Sequence, residues 1–177
     1  MKIASYIGTQ SGYAGWGDRI VRWRYGGGSA SLPEPSHTEI VFEPGDGVDH
    51  LMPDGTTEPI GQEYWCASSS MFDRMPMWSP IRAGRLGGVR FKRIYLSAEK
   101  WEVRNFKRDA VMAAMWYKAH EGQPYNVAQL LVYLEWFMAI IIRNDTQKWT
   151  CTSSVAAALG YYRPELYHPS IMRSIVM

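Results

Sequence analysis

The chain has 177 residues, of which 46% are hydrophobic and 20% charged, and its formal net charge is +2. This length and composition predict one globular domain, spanning 1–177, with a sizeable buried core. The basic residues are scattered along the chain, so we expect no binding to nucleic acid. The two cysteines, Cys66 and Cys151, are too few for a zinc site because the histidines are widely dispersed. The sequence therefore predicts no metal and no cofactor.

Hydropathy along the chain indicates neither a signal peptide nor a transmembrane segment. The first residues lack a long apolar core, and the longest apolar run, 127–142, is interrupted by Gln129 and Glu135. We expect this run to form a buried helix. We also expect both cysteines to be free thiols in a reducing compartment.

Strands are predicted in the first two thirds of the chain, where β-branched residues and alternating patterns recur. Their predicted ranges, in chain order, are 2–7, 38–42, 62–70, 88–96 and 101–106. The short connection between the second and third ranges favours antiparallel pairing. A segment at about 71–86, which contains two prolines and three arginines, is predicted to be an insertion that leaves the sheet.

Helices are predicted in the last third of the chain. Asp109 can cap a helix over 109–121, a second helix is expected over 126–142, and a third over 151–160. Strands followed by helices indicate an α+β fold, with an antiparallel sheet packed on C-terminal helices.

Cys151 stands where an apolar helix of small residues is expected to begin, in the segment 148–160 (KWTCTSSVAAALG). The first turn of a helix presents unpaired N–H groups and the positive end of the helix dipole, and both stabilise a thiolate. Cys151 is therefore the candidate nucleophile, although free cysteines are often simply buried. Cys66 lies on a predicted strand without such features, and we interpret it as structural.

His37 is the candidate general base, because it begins a predicted strand directly after a loop. Glu39 lies two residues further along the same strand face and could orient the imidazole. Ser68, on the neighbouring strand, is the alternative orienting residue. Tyr125 begins the second predicted helix and could donate a hydrogen bond to an oxyanion, or it could pack against the helix start.

Four segments together resemble a known family. They are 36–41 (SHTEIV), 87–94 (GGVRFKRI), 122–126 (GQPYN) and 149–160 (WTCTSSVAAALG). In this order they resemble the circularly permuted NlpC/P60 group of papain-like cysteine hydrolases, the YiiX/YebB-like branch, especially small forms encoded by bacteriophages. The resemblance covers 36–160.

The resemblance implies a permuted papain-like fold in which the histidine strand comes first and the cysteine helix last. It implies catalytic roles for His37 and Cys151, an orienting role for Glu39 or Ser68, and a recurrent helix start at Tyr125. The implied activity is that of a cysteine peptidase, amidase or acyl-ester hydrolase acting on cell-wall peptides or acyl lipids. The alternative is a virion (tail) protein that binds partners through the insertion at 71–86. The expected location is a host cytoplasm or a phage virion.

Overall fold

The computed structural model describes residues 1–9, 34–127 and 147–175, together with Gly12, Gly15, Arg19 and Arg22. Five strands form one antiparallel sheet in the order β4-β3-β2-β1-β5. The strands are β1 (Lys2–Tyr6), β2 (His37–Phe42), β3 (Glu63–Arg74), β4 (Leu86–Tyr95) and β5 (Trp101–Asn105). The described α-helices are α1 (Ala110–His120), α2 (Cys151–Ala158) and α3 (Pro169–Ile175), and 3-10 turns occupy Asp49–Leu51 and Pro164–Leu166. The predicted α+β class and antiparallel sheet are confirmed.

The segment predicted as an insertion at about 71–86 is largely part of the β3–β4 hairpin. Its first four residues continue β3, and the pairing with β4 is irregular between Ser70 and Arg74. Residues 75–85 then form turns that lead into β4. The prolines and arginines of this segment suggested that the chain leaves the sheet at residue 71, but the strand continues to Arg74, and cationic side chains of β4 pair with the Asp73 carboxylate.

The helix predicted over 126–142 lies outside the described residues, except for its first two. Among the helices that the structure describes, none is long and apolar enough to cross a membrane.

The main core lies between one face of the sheet and helices α1 and α2. Ile40, Ala67 and Phe91 of the sheet are buried there together with Ala113, Ala114 and Val155 of the helices. The small side chains of α2 allow its backbone to approach the sheet closely. The Ser69 N–H accordingly donates to the Ser154 Oγ of the helix at 3.1 Å.

The opposite face of the sheet is also buried. Ala4, Val41 and Cys66 form a second apolar cluster there. Glu39 shares this face, because residues two apart on a strand point the same way. A carboxylate in such surroundings needs compensating charges or hydrogen bonds, and this requirement shapes the site.

Candidate functional site

Cys151 is the first residue of helix α2, and the local sequence sets that helix start. Thr150 is the N-cap, and its Oγ1 accepts a hydrogen bond from the Ser153 N–H at 3.2 Å. The Ser153 Oγ in turn accepts from the Thr150 N–H at 2.9 Å, which completes a capping box. The N–H of Cys151 lies in the first turn, where no intrahelical carbonyl can accept it. This N–H is therefore placed to donate to an oxyanion formed at the thiol.

Two consecutive serines of β3 attach the start of helix α2 to the sheet. The Ser69 hydroxyl donates to the Trp149 carbonyl at 2.7 Å. The Ser68 hydroxyl donates to the Thr38 carbonyl at 2.7 Å and lies 3.4 Å from the carbonyl oxygen of Cys151. The Ser68 hydroxyl thus faces backbone carbonyl oxygens of both β2 and helix α2. Its contacts suit a residue that fixes the cysteine beside β2 rather than one that orients the imidazole.

The imidazole of His37 and the thiol of Cys151 lie close enough that each shifts the pKa of the other. The backbone N–H of Thr38 also acts on the sulfur, which lies 3.5 Å from the Thr152 Oγ1. Burial alone would raise the pKa of the Cys151 thiol, but the imidazolium charge and these polar neighbours outweigh burial and lower it. The site therefore favours the thiolate, with 6% of the Cys151 surface exposed.

Glu39 is the residue that holds the imidazole from the other side. The His37 Nε2 lies 2.6 Å from the Glu39 Oε1, so Nδ1 is the nitrogen left for Cys151. Burial disfavours a charged imidazole, but the neighbouring Cys151 thiolate and Glu39 carboxylate raise the pKa of His37 to about 10. The two groups thus favour each other's charged forms, the thiolate and the imidazolium.

Arg90 holds the Glu39 carboxylate and was not identified as a site residue from the sequence. Its Nη1 and Nη2 donate to the two Glu39 oxygens at 2.8 and 2.7 Å. Its Nε and Nη2 also donate to the Asp73 Oδ2 at 3.0 and 2.6 Å, and Lys92 Nζ donates to the Asp73 Oδ1 at 2.9 Å. Arg90 is almost fully buried, with 2% of its side chain exposed.

The charges of this group alternate in sign from the thiol outward. Burial raises the pKa of the Glu39 carboxyl, but Arg90 and then His37 lower it further than burial raises it. Arg90 and Lys92 likewise hold the pKa of Asp73 below its usual value despite burial. With Cys151 as a thiolate, the group comprises three anions and three cations, so its charges balance. Fork-shaped pairing of Arg90 with a carboxylate also fixes the carboxylate plane, and hence the imidazole that it holds.

Aromatic side chains lie along the other side of His37. The Trp101 ring centroid is 6.3 Å from that of His37, in an edge-on arrangement. Tyr6 packs edge-on against Trp101 at 5.0 Å and is the register partner of His37 on β1. These rings limit the directions in which the imidazole can turn. The β1 and β5 strands thus contribute to the position of the candidate base.

The backbone of Tyr125 lies beside the segment that leads into the cysteine helix. Tyr125 forms a parallel bridge with Trp149, and the Asn126 N–H donates to the Trp149 carbonyl at 3.1 Å. The Trp149 indole also donates to the Gln123 Oε1 at 2.6 Å. The segment therefore buttresses the approach to Cys151. The role of the Tyr125 phenol in oxyanion binding stays a prediction.

The remaining candidates lie in different surroundings. Cys66 is fully buried in β3, and burial, with a further contribution from Glu39, raises the pKa of its thiol well above the ordinary value. Both cysteines are free thiols. The His120 Nδ1 donates to the Trp116 carbonyl at 2.7 Å in the last turn of α1. Among the described residues, no group of three or more His, Cys, Asp or Glu side chains could hold a metal ion.

No protein-family model matches this chain, and neither a curated protein nor a solved structure matches it.

Proposed function

We propose that this protein is a cysteine hydrolase that cleaves an amide or ester bond through Cys151 and His37. The observation that carries the proposal is the position of His37, which interacts with the Cys151 thiol and lies 2.6 Å from the Glu39 carboxylate. A nucleophile, a base and a group that orients the base are the parts that acyl transfer by a thiol requires. The order of His37 on a strand and Cys151 on a later helix is the order expected for a permuted papain-like topology, as in the NlpC/P60 group that the sequence resembles.

The reaction proceeds in two steps. The Cys151 thiolate attacks the substrate carbonyl carbon, and the oxyanion that forms accepts from the N–H of Cys151. The C–N or C–O bond then breaks as the imidazolium gives its proton to the leaving group, which leaves an acyl-enzyme. Neutral His37 next takes a proton from water, and the resulting hydroxide attacks the thioester. Collapse releases the carboxylic acid and restores the ion pair, while Glu39 stabilises each charged state of the imidazole.

Arg90 is a positioning residue in this scheme. It does not contact the reacting atoms but fixes the carboxylate that contacts His37. The substrate class follows from the resemblance and comprises cell-wall peptides and acyl esters or lipids.

The first experiment measures iodoacetamide labelling of Cys151 against pH, in the native protein and in His37→Ala. An ordinary thiol, with a pKa near about 8.5, is ionised to only about 0.3% at pH 6. We expect the native protein to label at pH 6 roughly tenfold or more faster than His37→Ala, after allowance for the weaker nucleophilicity of a low-pKa thiolate. His50→Ala is the matched control, because His50 is an exposed histidine in a turn distant in sequence from both site residues.

Labelling that follows an ordinary thiol in both proteins would overturn the catalytic proposal. A virion or binding role for the fold would then be the better interpretation. If the ion pair is present, a panel of acyl esters and cell-wall peptides, with Cys151→Ala as the blank, identifies the bond that is cleaved.

A further inference from the structure

The tip of the β3–β4 hairpin carries a group of exposed apolar side chains. Met77, Trp78 and Ile81 are 79%, 53% and 66% exposed, and Phe72 and Leu86 at the base of the loop are also exposed. Exposed apolar side chains that occur singly are ordinary, but five within 72–86 form a concentration that folding alone does not explain. We name residues 72–86 the hairpin tip.

Hydrogen bonds hold the backbone of the loop at the hairpin tip in place. The Met75 N–H donates to the Arg85 carbonyl at 2.8 Å, and the Gly84 N–H donates to the Met75 carbonyl at 3.1 Å. Met75 and Ser79 are buried, so the loop has an inner side. A Cβ added at Gly122 would lie 3.0 Å from the Ile81 Cβ, so the loop packs closely against the backbone of Gly122. Met77 and Ile81 are therefore the most exposed apolar side chains of an anchored loop, while the half-exposed Trp78 packs edge-on against Trp65 of β3 at 6.2 Å.

The cationic side chains of the hairpin tip are not paired with carboxylates. Arg74 donates to the Gly84 carbonyl, and Arg82 donates to the Gly87 and Leu86 carbonyls. Arg85 is exposed. Among the described residues, none of the three arginines forms a salt bridge. Three positive charges therefore lie in the same segment as the exposed apolar side chains.

The acidic residues nearest the hairpin tip are either paired or buried. Asp73 is paired with Arg90 and Lys92. Glu121 contacts the Trp78 side chain, but its carboxylate is buried and lies 3.7 Å from Lys118 Nζ. Along the sequence no acidic residue occurs between Asp73 and Glu99. The hairpin tip therefore offers apolar and positively charged side chains together.

We propose that the hairpin tip docks on an anionic lipid bilayer surface. A tryptophan with an apolar body and a polar edge suits the boundary between headgroups and acyl chains, and Met77 and Ile81 can enter the acyl region beside it. Arginines around such residues gain from the negative potential of anionic headgroups. Nucleic acid offers no comparable site for aliphatic side chains, so the mixture favours lipid. The proposal goes beyond the hydrolase function and does not depend on it.

The experiment is co-sedimentation with phosphatidylcholine vesicles, made with or without phosphatidylglycerol, at low ionic strength. Cys151→Ala protein is used throughout, so that hydrolysis cannot alter the vesicles. We expect binding to the anionic vesicles that weakens with added salt and with omission of phosphatidylglycerol. The variant Arg85→Gln should lower partitioning about fivefold. The double variant Met77→Ser/Ile81→Ser should lower it at least about tenfold, because two apolar side chains are removed from the interface.

Matched controls separate the tip from the rest of the surface. Ile60→Ser removes an equally exposed apolar residue outside the hairpin tip, and Lys107→Gln removes an exposed cation after β5. Both should bind like the parent. Failure of the parent to sediment with anionic vesicles, equal binding to neutral vesicles, or equal losses in the control variants would each overturn the proposal. Thiol labelling of Cys151 is measured without lipid, so these outcomes are distinct from failure of the hydrolase proposal.

Discussion

The pKa values of the two cysteine thiols are shifted in opposite directions, upward for Cys66 and downward for Cys151. Cys66 lies in the middle of β3, where burial raises its pKa and the Glu39 carboxylate adds to that effect. Cys151 is buried as well, but its pKa is lowered because an imidazolium, a backbone N–H and a hydroxyl face the sulfur. Glu39 thus has opposite effects on the two thiols. It repels a Cys66 thiolate directly, and it stabilises the Cys151 thiolate through His37. Burial alone therefore does not decide whether a thiol is reactive; the charge next to it does.

The largest expected effect is the loss of low-pH thiol reactivity when Cys151 is replaced. The folded Cys151→Ala variant should show no iodoacetamide labelling at pH 6, because the remaining Cys66 thiol is buried and protonated. The folded Cys66→Ala variant should label at the rate of the parent. Mass spectrometry of intact protein after timed labelling measures both. Labelling of Cys66 at pH 6 in the folded Cys151→Ala variant would show that the two thiols do not differ in reactivity.

Removal of Arg90 tests whether the charged group is needed for stability. Arg90→Met leaves the buried Glu39 carboxylate without its main partner, so we expect a loss of about 3–5 kcal/mol in the free energy of unfolding. Arg90→Lys should lose less, since it keeps one cation but not the two-pronged contact. Urea unfolding measures these losses.

Lys107→Met is the control for the Arg90 variants, because it removes an exposed cation, and we expect a change within about 0.5 kcal/mol. Equal stability of Arg90→Met and the parent would contradict the role given to Arg90.

The smallest effect is expected in the acid dependence of stability. The pKa values of Glu39 and Asp73 are lowered on folding from ordinary values of 4.5 and 3.8. Their contribution is therefore present above those values and is lost as the pH falls through the lower folded pKa values. Asp73→Asn should reduce the acid slope of the free energy of unfolding by up to about 1.4 kcal/mol per pH unit, one proton's worth. Urea unfolding at a series of acid pH values measures it, and an unchanged slope would show that Asp73 is not coupled to folding.

Much of the site could be predicted from short-range rules. The same-face rule for residues two apart predicted that Glu39 could reach His37, and the structure places them 2.6 Å apart. The start of helix α2 at Cys151 also followed from the local sequence and is confirmed. The alternation of apolar and basic residues over 88–96 predicted a half-buried strand, and β4 is present over Leu86–Tyr95.

Arg90 could not be predicted in the same way. Its strand neighbours Val89 and Phe91 face the main core, so a cation between them is expected to point to solvent. The opposite face of the sheet is buried too, and that depends on contacts between distant parts of the chain. The pairing of Tyr125 with Trp149 is of the same kind, since no local pattern connects segments so far apart in sequence.

The order of the site residues along the chain has a consequence during protein synthesis. Synthesis proceeds from the N-terminus, so His37, Glu39, Asp73 and Arg90 leave the ribosome well before Cys151. Until helix α2 docks on β2 and β3, Cys151 keeps the acidity of an ordinary thiol and is mostly protonated at neutral pH. Its nucleophilicity therefore develops only when the sheet is already complete. A growing chain of this protein carries no activated thiol that could react with neighbouring molecules in the cell that makes it.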